Sequence, residues 1–165
     1  MSYELVIDGN KVVVDKGTFC YTPYPRKRRE YVSLGSHNLP FFTGLSQNEY
    51  VDLFQRKEKA FPELLSFEET NDTIFFRGVQ YGFGSGHIRE ITWHKKKKYL
   101  FVQDFFDEEL VDKFEYNQIY SFNPVLNINS SGAVEKFDAE ISNEYRVIQK
   151  GFKYHVNSRS YCIYG

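Results

Sequence analysis

No stretch of the chain approaches the ~18 consecutive apolar residues that a membrane-crossing helix needs, and the charged opening Met1-Ser2-Tyr3-Glu4 does not read as a signal peptide. The expectation is a chain that folds in water, with its cellular location left open. Cysteine is scarce. Cys20 and Cys162 lie near opposite ends, without a CxxC or a Cys/His zinc spacing, and a disulfide between them would require those ends to meet. An excess of charge of either sign is lacking as well: a formal net charge of -1 provides no global pull toward nucleic acid or an anionic membrane, so any preference for an acidic ligand must come from local clusters. Neither a repeat nor a flexible linker interrupts the sequence. Residues 1–165 therefore read as one domain, long enough to bury a core without a covalent staple.

What the sequence has in quantity is rings. With 16 Phe and 13 Tyr, aromatics reach 18% of the chain, against a single Met. That balance favours strands over helices, because a pleated, half-buried surface accommodates rings and β-branched side chains. The chain opens with Tyr3-Glu4-Leu5-Val6-Ile7, Asp8-Gly9-Asn10 and Lys11-Val12-Val13-Val14-Asp15, two β-rich runs around a strong turn signal, hence a hairpin. An aromatic, proline-punctuated connection from Phe19 to Pro25 leads to the basic cluster Arg26-Lys27-Arg28-Arg29. From Glu30 to Phe42 the pattern is irregular, with Gly35 and Pro40 bracketing Ser36-His37-Asn38, and Asn48 to Glu58 fits a short helix no better than a strand.

After Pro62, strand-like runs recur at Leu64–Glu69, Thr73–Tyr81, His87–His94, Tyr99–Phe105, Phe114–Phe122, Ala133–Ile141, Arg146–Ile148 and Phe152–Val156. Turn residues separate them at Asn71-Asp72, Gly82–Gly86, Lys95–Lys97, Ser130-Ser131-Gly132 and Gly151. Regular alternation of short strands and turns predicts an all-β fold, a two-layer antiparallel sandwich. Period two in His87–Trp93 places His87, Arg89, Ile91 and Trp93 on one face of their strand.

Arg26 to Arg29 have the guanidinium forks that meet sulfate or carboxylate in pairs, although a solvated loop would look the same. Lys95 to Lys98 fill a hairpin tip and read as solvated charge that discourages edge pairing. His94 and His155 have no partner suggested by spacing. Gly82-Phe83-Gly84-Ser85-Gly86 lacks the strand-then-helix context of a phosphate cradle.

Four segments, in order, resemble the C-terminal region of the heparinase II/III-like polysaccharide lyases. They are Tyr3 to Tyr21, with Asp15-Lys16-Gly17-Thr18 matching an Asp-x-Gly-Thr opening; Arg29 to Asn38, ending in a His-Asn pair; Tyr81 with His87-Ile88-Arg89 and Val102-Gln103-Asp104; and Tyr120-Ser121-Phe122-Asn123-Pro124. The resemblance implies a β-sandwich domain that, in the family, follows a helical α/α-toroid absent from this sequence, with the active site between the two. It implies β-elimination on an acidic, uronate-containing polysaccharide, and little or no activity without the toroid, which supplies a tyrosine. His37 is implied as the proton-transfer residue and Asn38 as its companion, the site candidates of the catalytic step. Arg28, Arg29, Tyr81, His87 and Arg89 are implied as substrate-binding residues.

Some family members place a metal-ligating histidine in the region of His87. Here Leu39 stands where metal-binding members have a further histidine, so no cofactor is expected; His87 and Asp52 remain only weak candidates for a divalent metal. Two other readings compete with the lyase domain. One is a module that holds acidic glycan without cutting it, and the other is a structural domain. The expected partners are acidic polysaccharide and the toroid, not nucleic acid or a membrane.

Overall fold

The computed structural model describes the backbone of residues 1–21, 24–52, 54–122, 128–130, 134–144, 147–156 and 159–164, and side chains as far as Gln118 together with Ser121, Glu135, Phe137, Arg159 and Ile163. Asn123-Pro124, the Ser131-Gly132 turn, Arg146 and the side chains of His155 and Cys162, all used in reading the sequence, lie outside the described residues. Cys20 is a free, buried thiol.

The opening hairpin forms as expected, from β1 (Leu5–Ile7) and β2 (Asn10–Val13). Its two-residue loop has φ of 50° at Asp8 and 79° at Gly9, the pair of positive values that a type I′ turn requires and that an Asp-Gly pair tolerates. Two six-stranded antiparallel sheets follow from the strand-and-turn pattern. The first contains β1, β2, β10 (Tyr116–Phe122), β13 (Val147–Val156) and β12 (Val134–Glu144) in that order, with β3 (Leu39–Phe42) paired to β10. The second runs β11 (Ile128–Ser130), β14 (Ser160–Tyr164), β9 (Tyr99–Phe105), β8 (His87–His94), β7 (Thr73–Gln80), β6 (Glu63–Glu69). No helix among the described residues is long and apolar enough to cross a membrane.

Between the sheets the packing changes character along the strands. At one end Ile7, Val12 and Val13 meet Leu100, Val102 and Ile163, with Tyr3, Leu5, Ile91 and Trp93 packed around them. Burying each such aliphatic side chain contributes about 1.5–3 kcal/mol. The same inward faces of β8 and β9 then turn polar, because alternation places His87 and Arg89 in line with Ile91 and Trp93, and Asp104 in line with Leu100 and Val102. Register sets Arg89 directly opposite Asp104.

Three elements depart from the sequence reading. The basic cluster is not a loop but α1 (Pro25–Val32), begun by a proline that the first helical turn tolerates and followed by a short 3₁₀ helix over Leu34–Ser36. Asn48 to Glu58 is a hairpin of β4 (Asn48–Tyr50) and β5 (Arg56–Glu58), standing apart from both sheets. A second helix, α2 (Glu108–Lys113), is capped by the Asp107 side chain accepting from the Glu109 N–H at 3.1 Å. Gly151 lies inside β13 and makes no turn.

Candidate functional site

His37 follows the 3₁₀ helix, its N–H donating to the Leu34 carbonyl at 3.1 Å. Its ring is held from the side by Asp15, at 2.7 Å between Nδ1 and Oδ2. Asp15 is fixed in turn, since its Oδ1 accepts from the Gly17 N–H at 2.8 Å, the turn made by the Asp-x-Gly-Thr segment. Burial would raise the Asp15 pKa, but the hydrogen bond and charge of His37 and the Gly17 N–H together outweigh it and hold the carboxyl below its ordinary value. An ionised Asp15 only accepts, so Nδ1–H donates to it, and Nε2 is the ring nitrogen that the carboxylate does not engage. Among the described residues Nε2 has no hydrogen-bond partner. The ring, 28% exposed, lines a cleft of about 230 Å³ shared with Arg28, Tyr31, Tyr50, Gln55 and Arg56.

The loop bearing Asp15 is tied to α1 by Lys16, whose Nζ lies 2.5 Å from Glu30 and 4.3 Å from the centre of the Tyr31 ring. The other wall of the cleft comes from the β4–β5 hairpin, where the Tyr50 hydroxyl donates to the Val32 carbonyl at 3.0 Å. A larger groove of about 750 Å³ lies next to it, lined by Arg29, Phe41, Phe42, Leu45 and Asp52 among others. Arg28 and Arg29, adjacent in sequence, thus face different cavities.

Asn38 requires a correction. It was expected as the companion of His37 in the catalytic step, either orienting the loop or donating to the uronate. It is fully buried with its amide committed to backbone groups, so only the orienting role agrees with the structure. Nδ2 donates to the Tyr3 and Val14 carbonyls at 3.1 and 2.9 Å, and Oδ1 accepts from the Ser121 N–H at 2.9 Å. Asn38 stitches the opening hairpin to β10, and by doing so fixes the backbone from which His37 projects.

His87 and Arg89 require another. They share a face as alternation predicts, but it is the inward face, where they are 1% and 0% exposed. A polysaccharide has no route to either. Arg89 grips Asp104 with two parallel bonds of 2.8 and 2.9 Å and donates through Nη1 to the carbonyls of Asn38 and Met1. Gln118, reaching across from β10, donates to the same carboxylate at 2.6 Å. His87 Nε2 lies 2.6 Å from Asp104, and its Nδ1 lies 3.1 Å from the Gln80 Nε2, whose Oε1 accepts from Gly82. An amide nitrogen can only donate, so Nδ1 accepts and His87 is neutral with its proton on Nε2. Burial, followed by the opposing pull of Asp104, leaves the His87 pKa below its ordinary value, in agreement with that tautomer. Asp104 is pushed up by burial but held below its ordinary value by Arg89 first and His87 next.

The remaining candidates are dispersed. Tyr81, 42% exposed, follows β7 and lines neither cavity. Asp52 accepts from the Phe54 and Gln55 N–H groups, which hold its carboxyl low, in a local turn of the small hairpin. With both His87 nitrogens engaged and Asp52 in that turn, the two do not form a metal set. Among the described residues no group of three or more His, Cys, Asp or Glu is placed to hold a metal ion. Reading the sequence missed Asp15 and Arg56 as site residues. Asp15 carried a signal in its Asp-x-Gly-Thr motif, whereas Arg56 carried none.

Comparison with known proteins places this geometry in context. A family model described as heparinase II/III-like, C-terminal, matches residues 1–134. No curated protein matches the chain. Among solved structures, the heparan sulfate lyase HepC from Pedobacter heparinus is similar at a TM-score of 0.69 and 12% identity, over 99% of this chain and 30% of that one. A heparinase III gene product is similar at a TM-score of 0.70 and 13% identity, over 99% of this chain and 29% of that one. The chain therefore spans about 30% of the length of each. At these identities the likeness is one of fold.

Proposed function

Because the chain belongs to the heparinase II/III-like C-terminal family, we propose that it is the C-terminal β-sandwich of a polysaccharide lyase, with His37 as its proton-transfer residue. The observation that carries the proposal is the Asp15–His37 pair, in which Asp15 holds Nδ1 and leaves Nε2 unengaged on a ring that lines an open cleft. The substrate is an acidic, uronate-containing polysaccharide. In β-elimination a base takes the proton from C5 of the uronate, the electron pair left behind forms the C4=C5 double bond, and the C4–O4 bond breaks. The departing O4 picks up a proton from an acid. An imidazole suits proton transfer of this kind because its pKa lies near the working pH, and Asp15 stabilises the imidazolium formed when Nε2 gains a proton.

The family's α/α-toroid would supply the rest of the site, including a tyrosine, so the 165-residue chain alone is expected to be inactive or nearly so. In this reading Asn38, Arg89 and Asp104 are positioning residues that act through the backbone under His37. The test is His37→Gln in the protein joined to its toroid, assayed by the ultraviolet absorbance of the unsaturated uronate. The expected loss is on the order of 10²–10⁴ in rate, with glycan binding largely kept. A rate within a few-fold of the unsubstituted protein would contradict the proposal, and glycan binding with no unsaturated product from the unsubstituted protein would favour a module that only holds glycan.

A further inference from the structure

The cleft beside His37 has a charge pattern that proton transfer does not account for. Arg28 from α1 and Arg56 from β5 both line it, and no carboxylate does. Two acids on the flanking elements are engaged elsewhere. Glu30 pairs with Lys16 and Lys27, and Glu49 with Lys57 and Lys59. Among the described residues neither arginine has a carboxylate within ion-pair distance. Arg28 lies over the Tyr21 ring, 5.3 Å from its centre, yet its Nε is buried without a hydrogen-bond partner. A buried donor left unpaired costs about 1–3 kcal/mol, a cost that an acceptor entering the cleft would remove.

We infer that this cleft is the seat of one anionic sugar substituent, a carboxylate or a sulfate, gripped by Arg28 and Arg56 together. Two guanidinium groups facing one space from separate elements suit an oxyanion with several acceptor positions. At about 230 Å³ the cleft takes a single acidic group with part of its ring, not a length of chain. Tyr50 and Phe54, 45% and 55% exposed at its edge, offer flat apolar surfaces to the ring carbons. The identity of the ligand rests on the lyase reading; the seat itself rests on the two arginines. If the substituent is the carboxylate of the reacting uronate, the same cations neutralise it and allow negative charge to develop at C5. Arg56 is then a specificity residue, presented by a hairpin that belongs to neither main sheet.

The test is calorimetric titration of the full 165-residue chain with three tetrasaccharides: heparan sulfate, hyaluronan (uronate without sulfate) and neutral cellotetraose. The Arg28 Nε–H resonance is followed in parallel. Saturable binding of heparan sulfate, with movement of that resonance, is expected, and no response to cellotetraose. Arg56→Gln should weaken binding about tenfold or more, the loss of one charge-assisted contact, and Arg56→Lys should weaken it less. Arg56 is exposed, so either variant should keep the fold. Binding of both acidic sugars identifies the carboxylate as the group held, and binding of heparan sulfate alone identifies the sulfate. An equal response to cellotetraose, or unchanged affinity in Arg56→Gln, overturns the inference. Anion binding by a protein that, joined to the toroid, releases no unsaturated uronate would keep the seat and remove the lyase reading; elimination lost in His37→Gln with no anion binding would do the reverse.

Discussion

At position 38 a side-chain amide with two N–H donors and an oxygen acceptor is sealed from solvent against two carbonyls and one backbone N–H. Truncation to alanine would leave the carbonyls of Tyr3 and Val14 and the N–H of Ser121 buried without partners. At about 1–3 kcal/mol for each such group, Asn38→Ala should lower unfolding stability by about 3 kcal/mol or more, read as a drop in the urea midpoint with an unchanged slope. His37, one residue earlier and 28% exposed, has one side-chain bond to a partner that is itself at the rim. His37→Gln should shift stability by no more than about 1 kcal/mol. Neighbours in sequence thus separate by which observable they move, activity for one and stability for the other. The resemblance of the His-Asn pair to the family pointed to both and could not tell them apart, because the distinction depends on Tyr3, Val14 and Ser121, far away in the chain. The Asp-x-Gly-Thr motif marked Asp15 but not its partner, because the ring it orients lies 22 residues further on.

Elements were legible where local chemistry and period agree. The Asp8-Gly9 turn, and strands β8 and β9 with their alternation, form where the sequence places them. The period did not say which face of β8 is wet, since His87 and Arg89 look like surface residues until β9 sets Asp104 opposite them. Helix α1 escaped notice because it is eight residues long, has no side-chain cap and carries no acid in its first turn, so nothing local marks its start. The β4–β5 hairpin is equally short, and a tertiary bond from Tyr50 to Val32 helps hold it in place. Tyr50→Phe removes that bond at a site open to water, so the fold should persist at a cost of about 1 kcal/mol or less. Amide hydrogen exchange should quicken in β4 and β5 while β8 and β9 keep their protection. Unchanged exchange there would show that the hydroxyl does not anchor the hairpin.

Across the whole molecule, the polar end of the interior joins both sheets to the loop bearing His37 through Arg89, Asp104, Gln118 and the Asn38 carbonyl. Removing the carboxylate in Asp104→Ala would leave the Arg89 charge buried and uncompensated, a loss of about 3–5 kcal/mol in thermal or urea unfolding. Acid acts on the same cluster. The folded-state pKa of His87 is lowered, so the unfolded chain takes up that proton first. The stability His87 contributes is complete above its unfolded pKa of about 6.5 and declines as pH falls from there toward the folded value, by at most about 1.4 kcal/mol per pH unit for one proton. Asp104 and Asp15, with lowered folded pKa values, add a second loss below about pH 4, where unfolded carboxyl groups protonate. Melting temperatures should therefore fall in two stages on acidification. His87→Gln should flatten the first stage and leave the second.

The central claim is that Asp15 orients His37 for proton transfer, and a double-mutant cycle in the protein joined to the proposed toroid tests it most directly. Elimination rates would be measured for Asp15→Asn, His37→Gln and the pair, with stability checked for each. If Asp15 acts through the imidazole, Asp15→Asn alone should cost on the order of 10²-fold, and almost nothing once His37 has been replaced. Equal losses from Asp15→Asn with and without the imidazole would contradict the claim.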